Sequence, residues 1–176
     1  MASRAPGSPP SPPPVPRPRV VATTAPGRVL GVDPGLNITG YAILEREPSG
    51  PVVIEAGVIR PSVSAKALES RLRLLHEGLL ELFDEFHPAS MALEQVHSHV
   101  SHPRTAILMA HARGVIMLTA ALRDVPVSGY APTRIKKTLT GSGRAPKEQV
   151  QYAIQAELGL ESLPEPNDVA DACAVA

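Results

Sequence analysis

The sequence predicts an α/β domain, a mixed five-stranded sheet flanked by helices, and three observations predict it. Short apolar runs bounded by turn signals alternate with longer segments whose apolar residues recur at three- and four-residue steps, the two periodicities of strands and helices. Two of the short runs end in an acid, Asp33 and Glu94. Hydrophobic residues make up 43% of the chain, yet Trp is absent and only two Phe and three Tyr occur, so Val, Ile, Leu, Ala and Met must build the core. With 176 residues and a Pro-rich start, the chain has room for one domain of about 150 residues.

Each element follows in order. Arg28 to Asp33 (RVLGVD) is an apolar run entering the turn Pro34-Gly35, which reads as a buried strand. Ile38 to Leu44 and Val52 to Ile59, separated by Pro48-Ser49-Gly50-Pro51, complete an antiparallel meander. From Ala65 to His87, Leu68, Leu72, Leu75, Leu79, Leu82 and Phe83 mark an amphipathic helix ended by Pro88. Ser90 to Glu94 is another strand, Arg104 to Arg123 a second long helix, and Val125 to Tyr130 the fifth strand. A short helix at Thr133 to Leu139, a Gly-Ser-Gly loop and a helix from Lys147 to Glu157 follow. Asn167 to Ala176 forms a last helix with Asn167 as its N-cap. By pattern analogy this order is the RNase H-like one.

Residues 1–27 hold nine of the twenty prolines, three arginines and no acid, so a disordered, polyproline-leaning tail is expected there, with the folded domain spanning 28–176. Arginines without acids also occur in organellar leaders, but prolines this dense break the amphipathic helix such leaders use. No apolar run approaches the ~20 residues needed to cross a bilayer, and no secretory signal is evident. Cys173 is the only cysteine, which excludes an intramolecular disulfide and a Cys-based zinc site and suits a reducing compartment. A cytoplasmic protein without a membrane partner is expected.

Formal charge is zero overall and gives no sign of a nucleic-acid partner. Its distribution does. Arg134, Lys136, Lys137, Arg144 and Lys147 form a segment with no acid between them, able to grip phosphates if the carboxylates elsewhere are neutralised.

Asp33 and Glu94 each end a strand, where ligands gather in α/β sheets. Asp168 and Asp171, spaced i, i+3, share one helix face. Four acids converging on one half-buried point require cations, and oxygen ligands select Mg²⁺ or Mn²⁺. Each acid also has an ordinary reading: a strand-end Asp can shape a turn, and an Asp pair in a first helical turn can complement the helix dipole. The residues alone leave both readings open.

Gly31-Val32-Asp33-Pro34-Gly35, continued by Thr39-Gly40-Tyr41, resembles the first motif of the RuvC family of Holliday junction resolvases. Ala92-Leu93-Glu94-Gln95-Val96 is similar to its second, and Ala112-Arg113-Gly114 to the A-R-G of its middle helix. Lys136-Lys137-Thr138, Gly141-Ser142-Gly143 and Lys147-Glu148-Gln149-Val150 resemble its basic region; Asp168-Val169-Ala170-Asp171-Ala172 resembles its closing D/H-x-x-D-A. The match runs in order from Arg28 to Ala176.

The resemblance implies a structure-selective DNA endonuclease that resolves four-way junctions by paired symmetric nicks in recombination and repair. Asp33, Glu94, Asp168 and Asp171 would be the catalytic residues and ligands of two Mg²⁺ ions, with Mn²⁺ an alternative. Lys136, Lys137, Arg144, Lys147 and His97 would contact DNA, with Lys136 and Lys147 near the scissile phosphate. It also implies a homodimer, built partly on the Ala106, Ala110 and Gly114 ridge, and the branch-migration proteins RuvA and RuvB as partners. The alternatives are a junction-binding module that does not cut and another RNase H-like nuclease acting on other branched DNA or on RNA/DNA hybrids.

Two departures stand out. His97 occupies the place of a stacking aromatic, and imidazole stacks less strongly; with His99 and His102 it lies on a loop without a defined zinc geometry. The chain also ends five residues past Asp171 in mid-pattern, as a truncated final helix would. With only Val169, Ala172, Cys173 and Ala176 as its apolar face, that helix is expected to hold Asp168 and Asp171 less firmly than the strands hold Asp33 and Glu94.

Overall fold

The apolar run before Asp33 becomes the middle strand of a five-stranded sheet in the computed structural model, which describes residues 27–61, 67–96 and 103–176. The Pro-rich stretch up to residue 26 and the loop holding His97, His99 and His102 lie outside the described residues. Strands β1 (Val29–Asp33), β2 (Thr39–Glu47) and β3 (Gly50–Ile59) form the antiparallel meander. Pro48 and Ser49 turn the chain between the last two, and Gly50 adopts a φ of 132° that side chains resist. Strands β4 (Ser90–Glu94) and β5 (Val127–Tyr130) add in parallel on the other side, giving the order β3-β2-β1-β4-β5.

Strand alternation sorts the two faces of this sheet. Leu30 and Val32 of β1, Ile43 of β2, and Met91 and Leu93 of β4 point to one face, which is covered by helices α1 (Leu68–Phe86) and α2 (Pro103–Leu122) through Leu75, Leu79, Phe83, Ala112 and Ile116. Side chains of this size, buried to 0–4%, form the main core. The intervening positions on the opposite face are small: Gly31, Gly40, Ala42 and Ala92. Three more helices follow in the chain, α3 (Pro132–Thr140), α4 (Lys147–Glu157) and α5 (Asn167–Val175). Of these, α5 lies directly on β1 and β2, and a second core joins Ala42, Val150, Ile154, Val169, Ala172 and Cys173. Asp33 and Glu94 share the period of Gly31 and Ala92, so both acids face α5.

Several expectations need correction. β5 starts at Val127 instead of Val125, because Pro126 has no N–H to give a neighbouring strand. Asn167 does not cap α5: Pro166 takes that position, and the Asn167 side chain instead accepts a hydrogen bond from Gln151 Nε2 at 2.7 Å. Nor is α5 weakly seated, since Ala170 and Val175 are buried alongside Val169, Ala172 and Cys173. Arg104–Leu122 is, against expectation, long and apolar enough to cross a membrane by length and composition. Within the fold it packs on α1 through Ala112, Ile116 and Ala120, and its fully buried Thr119 meets His76 Nδ1 at 2.7 Å.

A carboxylate cleft at the strand ends

Parallel pairing of β1 with β4 sets Val32 opposite Leu93, so the next residues, Asp33 and Glu94, leave the sheet side by side. The turn after Asp33 is held by Thr39, 1% exposed, whose hydroxyl donates to the Gly35 carbonyl and accepts from the Gly35 N–H at 3.3 Å. Gly35 permits that closure, because a Cβ there would overlap the carbonyl of Ile38. Opposite Asp33, Gly40 sits beneath α5, where a Cβ would overlap the backbone carbonyl of Asp168. A Cβ on Gly31 would likewise overlap the carbonyl of Ala172. Bare backbone at these two positions lets α5 descend onto the sheet and carry its acids to the strand ends.

Asp33, Glu94 and Asp171 line one cleft of about 300 Å³ together with Lys136 and Lys147, walled by Pro132, Ile135, Val150 and Ala174. Asp168 approaches from the first turn of α5, close enough for its charge to act on Asp33, but it does not line the cleft. Burial first, then the charges of Glu94, Asp171 and Asp168, push the Asp33 carboxyl from an ordinary 3.8 up to about 7, against the opposing pull of Lys147. Glu94 is raised by burial and by Asp171, while Lys136, Lys147 and a hydrogen bond with Asp33 pull it back. Carboxylates crowded to this degree stand in need of positive charge.

Part of that charge is already present. Lys147 Nζ donates to Asp171 Oδ2 at 2.8 Å. Lys136 Nζ donates to the Ala145 carbonyl at 3.2 Å, which tethers it at the cleft edge. Lys137 and Arg144 are exposed and do not line the cleft. Among the described residues no three Asp, Glu, His or Cys already stand in metal-ligand geometry around a common point. The set nevertheless fits a hard cation: its donors are all carboxylate oxygens, and burial with the neighbouring negative charges raises Asp33 and Glu94.

Sequence reasoning missed the apolar wall and the support behind Glu94. Gln95 lies along β5 with its Nε2 donating to the Gly129 carbonyl at 3.3 Å, a placement a side chain on Gly129 would crowd. Nothing in a lone strand glycine announced this. The wall was more accessible, since Ile135 and Val150 fall on the inward faces of two short helices. Arg134, noted only as part of the basic segment, sits 5.4 Å from the Tyr130 ring centroid.

Residues 29–176 match the family described as crossover junction endodeoxyribonuclease RuvC. A protein of that name from Rhodopirellula baltica is 54% identical over 158 residues, covering 88% of each chain. Another from Moorella thermoacetica is 41% identical over 148 residues, 84% of this chain and 87% of that one. Among solved structures, T. thermophilus RuvC in complex with a Holliday junction substrate superposes with a TM-score of 0.78 at 28% identity, over 85% of this chain and 90% of the other.

Proposed function

Because the chain belongs to the RuvC family of crossover junction endodeoxyribonucleases, we propose that Asp33, Glu94, Asp168 and Asp171 are the ligands through which it hydrolyses DNA strands at a four-way junction. The protein is a metal-dependent nuclease of Holliday junctions. The observation that carries the assignment of its site is the pairing of β1 with β4 beneath α5, which brings acids from three distant segments to one cleft. Two Mg²⁺ ions, or Mn²⁺ in their place, supply activation of a water and neutralisation of the departing 3′ oxygen when bound there.

The chain's own residues do the rest. Asp33 and Glu94, fixed by the sheet, form the rigid side of the site; Asp168 and Asp171 close it from α5. Lys136 and Lys147 direct ammonium groups at the scissile phosphate, and the wall of Pro132, Ile135, Val150 and Ala174 limits water and strengthens each charge. Lys137 and Arg144, exposed beyond the cleft, take phosphates farther along the strand, and His97 contacts the DNA. Paired symmetric cuts call for a two-fold homodimer, for which α2 offers exposed Ile107, Met117, Leu118 and Leu122. Action in the cytoplasm beside RuvA and RuvB belongs to the same proposal, as the lone, reduced Cys173 suits.

The test is a cleavage assay with Mg²⁺ on a synthetic four-way junction, a linear duplex and an RNA/DNA hybrid. Paired symmetric nicks in the junction alone are expected. Equal cutting of junction and duplex, or cutting of hybrids only, would assign the chain to another RNase H-like activity; binding without cutting would leave a junction-binding module.

A further inference from the structure

We propose that the Lys147 ammonium is an exchangeable placeholder for a metal ion: it occupies Asp171 in the cation-free protein and transfers to a DNA phosphate when a cation loads. The inference rests on the carboxylate site proposed above. It begins from the ion pair between Lys147 Nζ and Asp171 Oδ2, 2.8 Å long, inside the cleft lined by Asp33 and Glu94.

Three features make this pair an exchange element instead of a fixed strut. Lys147 opens α4, where the positive end of the helix dipole disfavours a cation, so the helix gives the ammonium no reason to stay. Its side chain is 51% exposed, while that of Asp171 is 31% exposed. The lysine therefore swings on a solvated stem, whereas the aspartate is carried by a helix seated on the sheet. Neither helix needs the pair for its place, because α4 is anchored by buried Val150 and Ile154 and α5 by Val169, Ala172 and Cys173. Lys136 provides the contrast: its ammonium is tethered to a carbonyl, Ala145 O, and no arriving cation competes for that contact.

In this pair one oxygen of Asp171 is committed to Lys147, so an arriving cation meets the ammonium already in place. A divalent cation binding there outbids a single ammonium at short range. The ammonium it displaces remains at the cleft, beside the position of the phosphate. Cation loading thus turns Lys147 from an internal neutraliser into a DNA contact, and by linkage DNA binding favours cation loading in equal measure.

Mn²⁺ titration calorimetry on the wild type, Lys147→Gln and Lys147→Arg tests the first half. Lys147→Gln should bind Mn²⁺ about two- to five-fold more tightly, the range a solvated ion pair can contribute, and Lys147→Arg should stay near the wild-type value. Binding of a four-way junction across a salt series, in EDTA and in Ca²⁺, tests the second. Lys147→Gln should lower the log–log salt slope by about 0.9 in Ca²⁺, the loss of one phosphate contact, and leave it unchanged in EDTA. Unaltered or weakened Mn²⁺ affinity in Lys147→Gln, or an equal loss of slope with and without Ca²⁺, would overturn the exchange alone. Absence of Mn²⁺ uptake by the wild type would overturn the carboxylate site and the exchange with it.

Discussion

Asp33 is the residue on which the electrostatics of the cleft converge, and its position has a consequence for stability. Its folded pKa, about 7, lies above the ordinary 3.8, so the folded state favours the protonated form. The stability this contributes is fully present below about 3.8 and is lost as pH rises from there to about 7. In EDTA, the melting temperature should therefore fall across that window, and Mn²⁺ should restore it at neutral pH, since a cation takes over the proton's role. Asp33→Asn should flatten the dependence and abolish junction cutting while preserving or strengthening metal-free junction binding. An unchanged slope in the variant would show that Asp33 is not the buried acid responsible. At this scale the sequence was highly legible for the strand-end acids, because Asp33 and Glu94 sit at the ends of obvious apolar runs. It was silent on Lys147 and Asp171, whose contact spans 24 positions and depends on how two helices dock.

What places those helices is the element α5, and what places α5 is the absence of side chains beneath it. Gly31 and Gly40 read in the sequence as parts of a motif, but their physical role emerges only where a Cβ would overlap the carbonyls of Ala172 and Asp168. Gly40→Val should lift α5 from β2, destabilise the fold by roughly 1–3 kcal/mol through overpacking, and weaken Mn²⁺ binding by about tenfold through misplaced ligands. Chemical denaturation and calorimetry measure the two effects separately. A variant that loses stability but binds Mn²⁺ normally would dissociate α5 docking from ligand placement. The start signal at Pro166 and Asn167 located this helix to within a residue, although Pro166 and not Asn167 takes the cap position. Its seating stayed hidden because the apolar face read from the sequence omits Ala170 and Val175, and Ala170 and Ala172 are both fully buried on a sheet face made small enough to receive them.

For the whole molecule, the surface of α2 links the site to the proposed two-fold assembly. A single chain leaves Ile107, Leu118 and Leu122 at 57–65% exposure, and α2 carries no acid to pair across an axis. In the proposed dimer, contact between two copies through this face would be apolar. Gly114 fits that use: a Cβ there would meet nothing within 4 Å among the described residues, yet glycine costs a helix interior about 1 kcal/mol relative to alanine. Close approach of a second helix in the proposed dimer would use the gap. The groove beside it runs past Ala106, Ala110 and Arg113 to Gln95, the residue after Glu94, so a partner seated on α2 adjoins the support of a proposed metal ligand. Gly114→Glu should leave each chain folded, with helical content equal to or above the wild type. It should also set two carboxylates against each other at the axis and shift the protein to single chains in sedimentation equilibrium. Junction cutting should then change from paired to uncoupled nicks. A Gly114→Glu protein that keeps the wild-type mass in solution would place the two-fold contact on another face.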